Sequence, residues 1–286
     1  MLRQRIITAI LLLLALIVVT TALSSFYFSV LISVLVVVAG WEWAGFIGLS
    51  QRNAKLSYLL TLATMLLGLY FLLGITPQAE EIDILRSAAV LGLGLLFWLL
   101  TLFMLGGYPD NKQQWNDESK VACMGMFSLI PTWTGVVTLK YLLPSGYLVL
   151  ALVVLVAAVD VGAYFVGVNF GSRKLAPNLS PKKSWEGVWG GVALCVVVAI
   201  GFSWAMDKYL MPLSVLDFAL LLALAIVLSF LSVIGDLLES MLKRNQNLKD
   251  SGSILPGHGG LLDRIDGLMA ATPAFVLMMM FVIGQE

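Results

Sequence analysis

Charge is what this sequence has least of. Of 286 residues only 12% are Asp, Glu, Lys or Arg, 17 acidic and 17 basic, about half the share of an ordinary soluble domain. That is too few to coat a soluble protein of this length. It also argues against a disordered chain and a basic nucleic-acid binder. Cysteine is nearly absent: Cys123 and Cys195 lie in apolar runs and form no CxxC, so neither a disulfide framework nor a zinc site is indicated. Histidine occurs once, as His258. No repeat or low-complexity tract interrupts the chain. What fills it instead is apolar, 60% of all residues. The class left standing is a polytopic membrane protein.

A spanning helix needs about 20 mostly apolar residues. Nine such runs occur, near Ile6–Leu23, Phe26–Leu49, Leu56–Ile75, Ala88–Gly106, Val121–Leu143, Tyr147–Phe170, Gly187–Met206, Val215–Ile234 and Ile265–Gly284. They are continuous rather than alternating, so they predict helices and not barrel strands. The fold class expected is all-α with about nine transmembrane helices. The first run follows Arg3 and Arg5, but it exceeds a signal peptide's apolar core and a second span follows at once, so an uncleaved helix is expected. With the N-terminus in the cytoplasm, the inner segments hold Arg3, Arg5, Arg52, Lys55, Lys112, Lys120, Arg173, Lys174, Lys182, Lys183, Lys243, Arg244, Lys249 and Arg264. The outer ones hold only Arg86, Lys140 and Lys208. This positive-inside bias predicts an N-in, C-out topology in the cell (inner or plasma) membrane.

Residues 1–145 are mostly span and short loop, a scaffold. Its one oddity is Glu42 in Trp41-Glu42-Trp43, which fits an interfacial acid flanked by belt tryptophans. Residues 146–286 differ, because polar features converge there on loops 171–187 and 235–267. Asp160 lies midway along the sixth run, where a carboxylate is costly unless it is paired, wet or cation-bound. Lys182, Lys183 and Ser184 immediately precede the seventh run, and helix N-terminal amides plus two ammonium groups suit a phosphate. In the third feature Asp236, Glu239, Ser240 and Lys243 would share one helical face, and Asp263 and Asp266 share another. Between them Pro256-Gly257-His258-Gly259-Gly260 is too glycine-rich for helix and can bring backbone amides close to a ligand. No GxxxxGK[ST] loop is present. Asp236, Asp263 and Asp266 are hard oxygen ligands suited to Mg²⁺, and Lys243, Arg244, Lys249 and Arg264 are phosphate partners interleaved with them. The combination points to metal-assisted phosphoryl or nucleotidyl chemistry. His258 suits a loop hydrogen bond as well as an acid–base role.

These residues resemble a known family, the phosphatidate cytidylyltransferases (CDP-diacylglycerol synthases). The family's signature is matched without a gap by Ser240, Lys243, Arg244, Lys249, Asp250, Gly252, Leu255, Pro256, His258, Gly259, Gly260, Asp263, Arg264 and Asp266. The Gly235-Asp236 pair, the Asp160-x-Gly162-Ala163-Tyr164 element and the segment Leu179 to Gly187 also look like the family's pattern. Trp41-Glu42-Trp43 fits with less specificity. Val161 departs from it, standing where a Ser or Thr is expected beside the intramembrane acid.

The resemblance implies an all-helical membrane enzyme, a homodimer, that joins CTP to phosphatidate to give CDP-diacylglycerol and pyrophosphate. Mg²⁺ would be required, with a monovalent cation such as K⁺ alongside. Asp236, Asp263 and Asp266 would bind the metal, and Asp160 would take the second cation or brace the basic residues. Lys243, Arg244 and Lys249 would contact triphosphate or lipid phosphate. Ser180, Lys182, Lys183 and Ser184 would form a second anion seat, joined by Gly259, Gly260 and Arg264 around the substrate. Asp250 and His258 would line the site. Two rival functions share some of these features: a lipid-alcohol kinase using CTP or ATP with Asp250 or His258 as base, and a cation transporter built around Asp160.

Overall fold

The structure, a computed structural model, describes residues 13–254 and 259–284. Nine helices carry the fold: α1 (Leu13–Ala22), α2 (Ser25–Ile47), α3 (Arg52–Leu73), α4 (Ile84–Gly106), α5 (Glu118–Leu142), α6 (Tyr147–Phe170), α7 (Trp185–Tyr209), α8 (Val215–Asn245) and α9 (Leu262–Ile283). The last eight are long and apolar enough to cross a membrane. Residues 6–12 of the first expected span lie outside the described residues, and Leu13–Ala22 is helical as expected.

Local chemistry sets the boundaries. Asp83, Asp117, Ser184 and Ser214 accept hydrogen bonds from backbone amides three residues on and so cap α4, α5, α7 and α8. Charged and polar residues at helical spacing extend several helices beyond their apolar cores. α3 begins at Arg52 rather than Leu56, and α8 runs on from Ile234 to Asn245. At 1.5 Å per residue α8 is about 46 Å long, well beyond the roughly 30 Å hydrocarbon core. Its last turns therefore project and carry Asp236 to Arg244 with them.

α5 is the central post. It continues through Pro131, which has no backbone N–H to donate, and the proline ring packs into the space left by Gly94 on α4. Thr132 Oγ1 donates to the Ser128 carbonyl at 2.7 Å, and Trp133 Nε1 donates to Ser33 Oγ at 2.9 Å. Thr132 and Trp133 are thus packed inside the bundle.

Two expectations need correction. Lys140 is no loop cation: it sits wholly buried in the last turn of α5, donating to the carbonyls of Thr20 and Pro144. And the segment before α7 is not irregular throughout. It folds into a hairpin of β1 (Lys174–Ala176) and β2 (Ser180–Ser184), antiparallel, with Lys174 opposite Ser184. Glu186 on α7 fastens its base by accepting from the amides of Ser172 and Arg173.

Candidate active site

Helices α6 and α7 pack along a seam of small residues. A Cβ on Gly162 would overlap the Gly190 carbonyl, and one on Gly191 would lie 2.8 Å from the Val159 carbonyl. Close approach of these backbones leaves a cavity of about 620 Å³ beside the seam, closed by the hairpin and α8. Its lining mixes apolar side chains, Val159, Tyr164 and Val188 among them, with the charged Asp160, Lys174, Lys182, Lys183 and Asp236.

Asp236 is ion-paired with Lys183 and accepts from Ser240 Oγ at 3.3 Å. Asp266 lies close enough to feel the charges of Asp236, Asp160 and Lys183, and Asp160 those of Lys183, Asp236 and Arg264. Glycine explains how α8 and α9 come so near. A Cβ on Gly235 would run into the Asp266 carbonyl, and one on Gly267 into Ser232 Oγ. Each of the two aspartates is thus the chain neighbour of a helix-crossing glycine.

Asp263 stands apart from these three carboxylates. Its Oδ1 accepts from Lys243 Nζ at 2.7 Å. Its Oδ2 accepts from the Ser251 amide and hydroxyl, both at 3.0 Å, and from the Gly260 amide at 2.9 Å. Lys243 also binds Glu239 Oε2 at 2.9 Å. Of the expected ligand set, Asp160 and Asp236 line the cavity and Asp266 feels the charge of both, while protein donors meet Asp263 as Lys183 and Ser240 meet Asp236.

The acid that completes this arrangement is Glu42. It is 4% exposed, so it is no interfacial residue, and only Trp41 keeps the belt character expected of the triplet. Trp43 is buried, and its Nε1 donates to the Val121 carbonyl at 2.9 Å. Glu42 accepts from the amides of Leu261 and Leu262 at 3.0 and 2.9 Å and from Ser251 Oγ at 3.3 Å. These amides open α9, whose cap position is Leu261, a residue without a capping side chain. The carboxylate comes from α2 instead, at the end of the helix that favours negative charge.

The glycines follow from this. Gly259 has φ +83°, and Cβ atoms on Gly252 and Gly260 would collide with Glu42 or Ser251. The glycine-rich loop does bring amides to anions, as its composition suggests. The anions are the protein's own Glu42 and Asp263.

The other expected residues fall around this core. Ser184 is buried and caps α7 through its hydroxyl, 3.2 Å from the Gly187 amide. Ser180 lies on β2, and Arg244, Lys249, Asp250 and Arg264 are exposed. Leu255, Pro256, Gly257 and His258 lie outside the described residues. Glu42, Ser251, Lys174 and the Lys243 contact of Glu239 carried no site assignment from sequence. For Glu42 the signal was present, a lone acid in an apolar run, but its destination was not.

The donor chemistry suits a hard divalent cation. Glu239 Oε1 is buried with no hydrogen-bond partner among the described residues, and Asp266 and Asp263 add negative charge around it. Among the described residues no three carboxylates converge enough to enclose an ion alone.

These features define a polytopic helical membrane protein whose carboxylates and ammonium groups gather beside an apolar groove. The sequence profile of the Cytidylyltransferase family matches residues 3–282, and the chain belongs to that family. It is 41% identical over 281 residues to the phosphatidate cytidylyltransferase of Pseudomonas aeruginosa, covering 98% of this chain and 97% of the relative. The protein of that name from Haemophilus influenzae is 35% identical over 295 residues, with 99% and 100% covered. The one from Thermotoga maritima is 31% identical over 261 residues, with 85% and 84% covered.

Proposed function

We propose that the protein transfers the cytidylyl group of CTP to phosphatidate, releasing pyrophosphate and leaving CDP-diacylglycerol in the membrane. The observation that carries this reading is the cavity lined both by apolar side chains, Val159, Tyr164 and Val188, and by the charged Asp160, Lys182, Lys183 and Asp236. A substrate with acyl chains and a phosphate headgroup matches that mixed lining. The name shared by relatives aligned over nearly their whole length supports the same reaction.

The nucleophile is a phosphate oxygen of the lipid, already ionised, so no base is needed to create it. It attacks the α-phosphorus of CTP. One P–O bond forms there, the bond to the β-phosphate oxygen breaks, and its electron pair leaves with pyrophosphate. The work of the protein is to bring two polyanions together and hold them in line. Lys182 and Lys183, with Ser180 and Ser184 behind them, seat the lipid phosphate at the edge of the groove. Lys243, Arg244, Lys249 and Arg264 meet the triphosphate, and Asp263 keeps Lys243 aimed. Gly259 and Gly260 shape the loop, which Asp250 and His258 line. Asp236 and Asp266 would hold Mg²⁺, which would supply charge neutralisation for the leaving group, and Asp160 would be the donor for a monovalent cation such as K⁺.

The reading includes a homodimer, a cell membrane location and a site open to the cytoplasm. The excess of basic residues on alternate loops supports that orientation. The deciding experiment incubates purified protein with labelled CTP, phosphatidate and Mg²⁺ and follows both products. Lipid-linked cytidine with equimolar pyrophosphate is expected; release of CDP would make the protein a kinase and overturn the reading.

A further inference from the structure

We infer that Glu42, on the N-terminal half of the chain, is a positioning residue for the transfer, and that it acts by fixing the first turn of α9. This rests on the reaction proposed above.

Glu42 is not among the residues that line the cavity, yet Ser251 links it to Asp263 and Lys243. From Glu42 Oε2 the path runs to Ser251 Oγ at 3.3 Å, from Ser251 Oγ to Asp263 Oδ2 at 3.0 Å, and from Asp263 Oδ1 to Lys243 Nζ at 2.7 Å. In parallel, its two oxygens hold the amides of Leu261 and Leu262. Asp263 and Asp266 stand on the first turns of that helix, so the register of α9 about its axis sets both carboxylates at once.

The buried charge is expensive, and no ion pair to Glu42 occurs among the described residues. Helix N-terminal amides and one hydroxyl balance it instead. A scaffold alone could cap α9 with a Ser or Asp at position 261. Reaching from α2 does more: it ties Ser251 to the same carboxylate, in the space kept by Gly252 and Gly260. Ser251 has a single hydroxyl proton for two carboxylates, so Glu42 and Asp263 share it, and a shift in one is felt by the other.

The test compares Glu42→Gln, Glu42→Asp and Ser251→Ala with wild type in detergent. Glutamine keeps the shape but sets an NH₂ against an amide donor. Its kcat should fall about 10- to 100-fold, the scale of a sub-ångström to 1 Å misplacement. KM for CTP and for phosphatidate should stay within about threefold, since the residue binds neither. Hydrogen exchange at the Leu261 and Leu262 amides should accelerate in the same variant. Glu42→Asp should recover part of the kcat, and Ser251→Ala should lower kcat without adding to the Gln effect. A folded Glu42→Gln with wild-type kcat overturns the inference, as does a loss matched by the unfolded fraction or confined to KM. If that variant does not fold, Ser251→Ala decides: unchanged kcat rejects the proposed path. Exchange at the two amides is read without substrate, so it separates failure of this inference from failure of the proposed reaction.

Discussion

Lys183 on the hairpin and Asp236 on α8 are ion-paired across the mouth of the cavity. Their side chains are 24% and 37% exposed, so the pair contributes at most about 1 kcal/mol to stability. Its value is placement, since it sets a cation and a carboxylate side by side where two phosphates must meet. Asp236→Asn should therefore leave thermal unfolding almost unchanged while lowering kcat by about 100-fold or more, the cost of losing one preorganised charge. Lys183→Met should act differently, raising KM for phosphatidate more than for CTP. Initial rates at varied concentrations of each substrate check both. Equal KM increases for the two would remove Lys183 from the lipid seat.

Asp263 supports a sharper separation of roles. Four protein contacts occupy its carboxylate, among them Lys243 Nζ at 2.7 Å. Asp263→Asn should abolish nearly all turnover, because its single amide oxygen cannot serve both Lys243 and the loop amides, its NH₂ opposes whichever donors it meets, and the charge that pairs with Lys243 is gone. Raising Mg²⁺ should not restore it. For Asp266→Asn, by contrast, activity should be partly recovered at high Mg²⁺, as expected when a metal donor is weakened rather than lost. Removing the metal with EDTA should silence the wild type, with full recovery on adding Mg²⁺. Mg²⁺ rescue of Asp263→Asn would return that residue to the ligand set.

Much of this was legible from residues alone, for physical reasons. Continuous apolar runs have few alternatives in lipid, because every backbone polar group must find a partner within the helix. α6 accordingly appears at its expected limits, Tyr147–Phe170. The spacing of Asp236, Ser240 and Lys243 puts them on one face of any helix there; α8 does continue through them, beyond the expected end at Ile234, and Ser240 hydrogen-bonds Asp236. Glu42 was not legible in the same way. An acid in an apolar run announces a cost, but which amides offset that cost is decided by tertiary contact between α2 and α9. The glycine-rich composition does not tell which anion its amides meet, because amides that cradle a phosphate and amides that cradle a carboxylate have one composition; those of Gly260, Leu261 and Leu262 meet Asp263 and Glu42.

The seam between α6 and α7 should fail in a graded way. Gly190 packs against Val166 and the Gly162 carbonyl, where a Cβ has no room, whereas a Cβ on Gly201 of the same helix meets nothing within 4 Å. Gly190→Val should destabilise the protein by about 1–3 kcal/mol through overpacking, and it should also distort the cavity wall. Gly201→Ala should be neutral or slightly stabilising, since alanine is the better helix former. Thermal unfolding of both variants in one detergent gives the comparison. A Gly190→Val protein as stable as Gly201→Ala would mean that the helices do not depend on this contact.

Lys140 tests whether the two ends of the bundle are independent. It lies in the last turn of α5, next to the start of α6, whereas the cavity flanks the later half of α6. The ammonium is wholly buried and forms no ion pair among the described residues. It donates to the Thr20 and Pro144 carbonyls, each at 2.5 Å, and stands 5.8 Å from the centre of the Phe28 ring. Thr20 belongs to the end of α1, where carbonyls lack helical partners and attract a cation. Lys140→Met keeps the length of the side chain but leaves both carbonyls without that donor. The cost should be about 2–4 kcal/mol, the range for unsatisfied buried polar groups, seen as a lower unfolding temperature. Turnover per folded molecule should stay within about twofold of wild type, because no substrate contact is altered. An unchanged unfolding temperature would show that the ammonium is not what ties α1 to α5. A selective fall in kcat would show instead that strain at this end reaches the charged centre through α5 and α6.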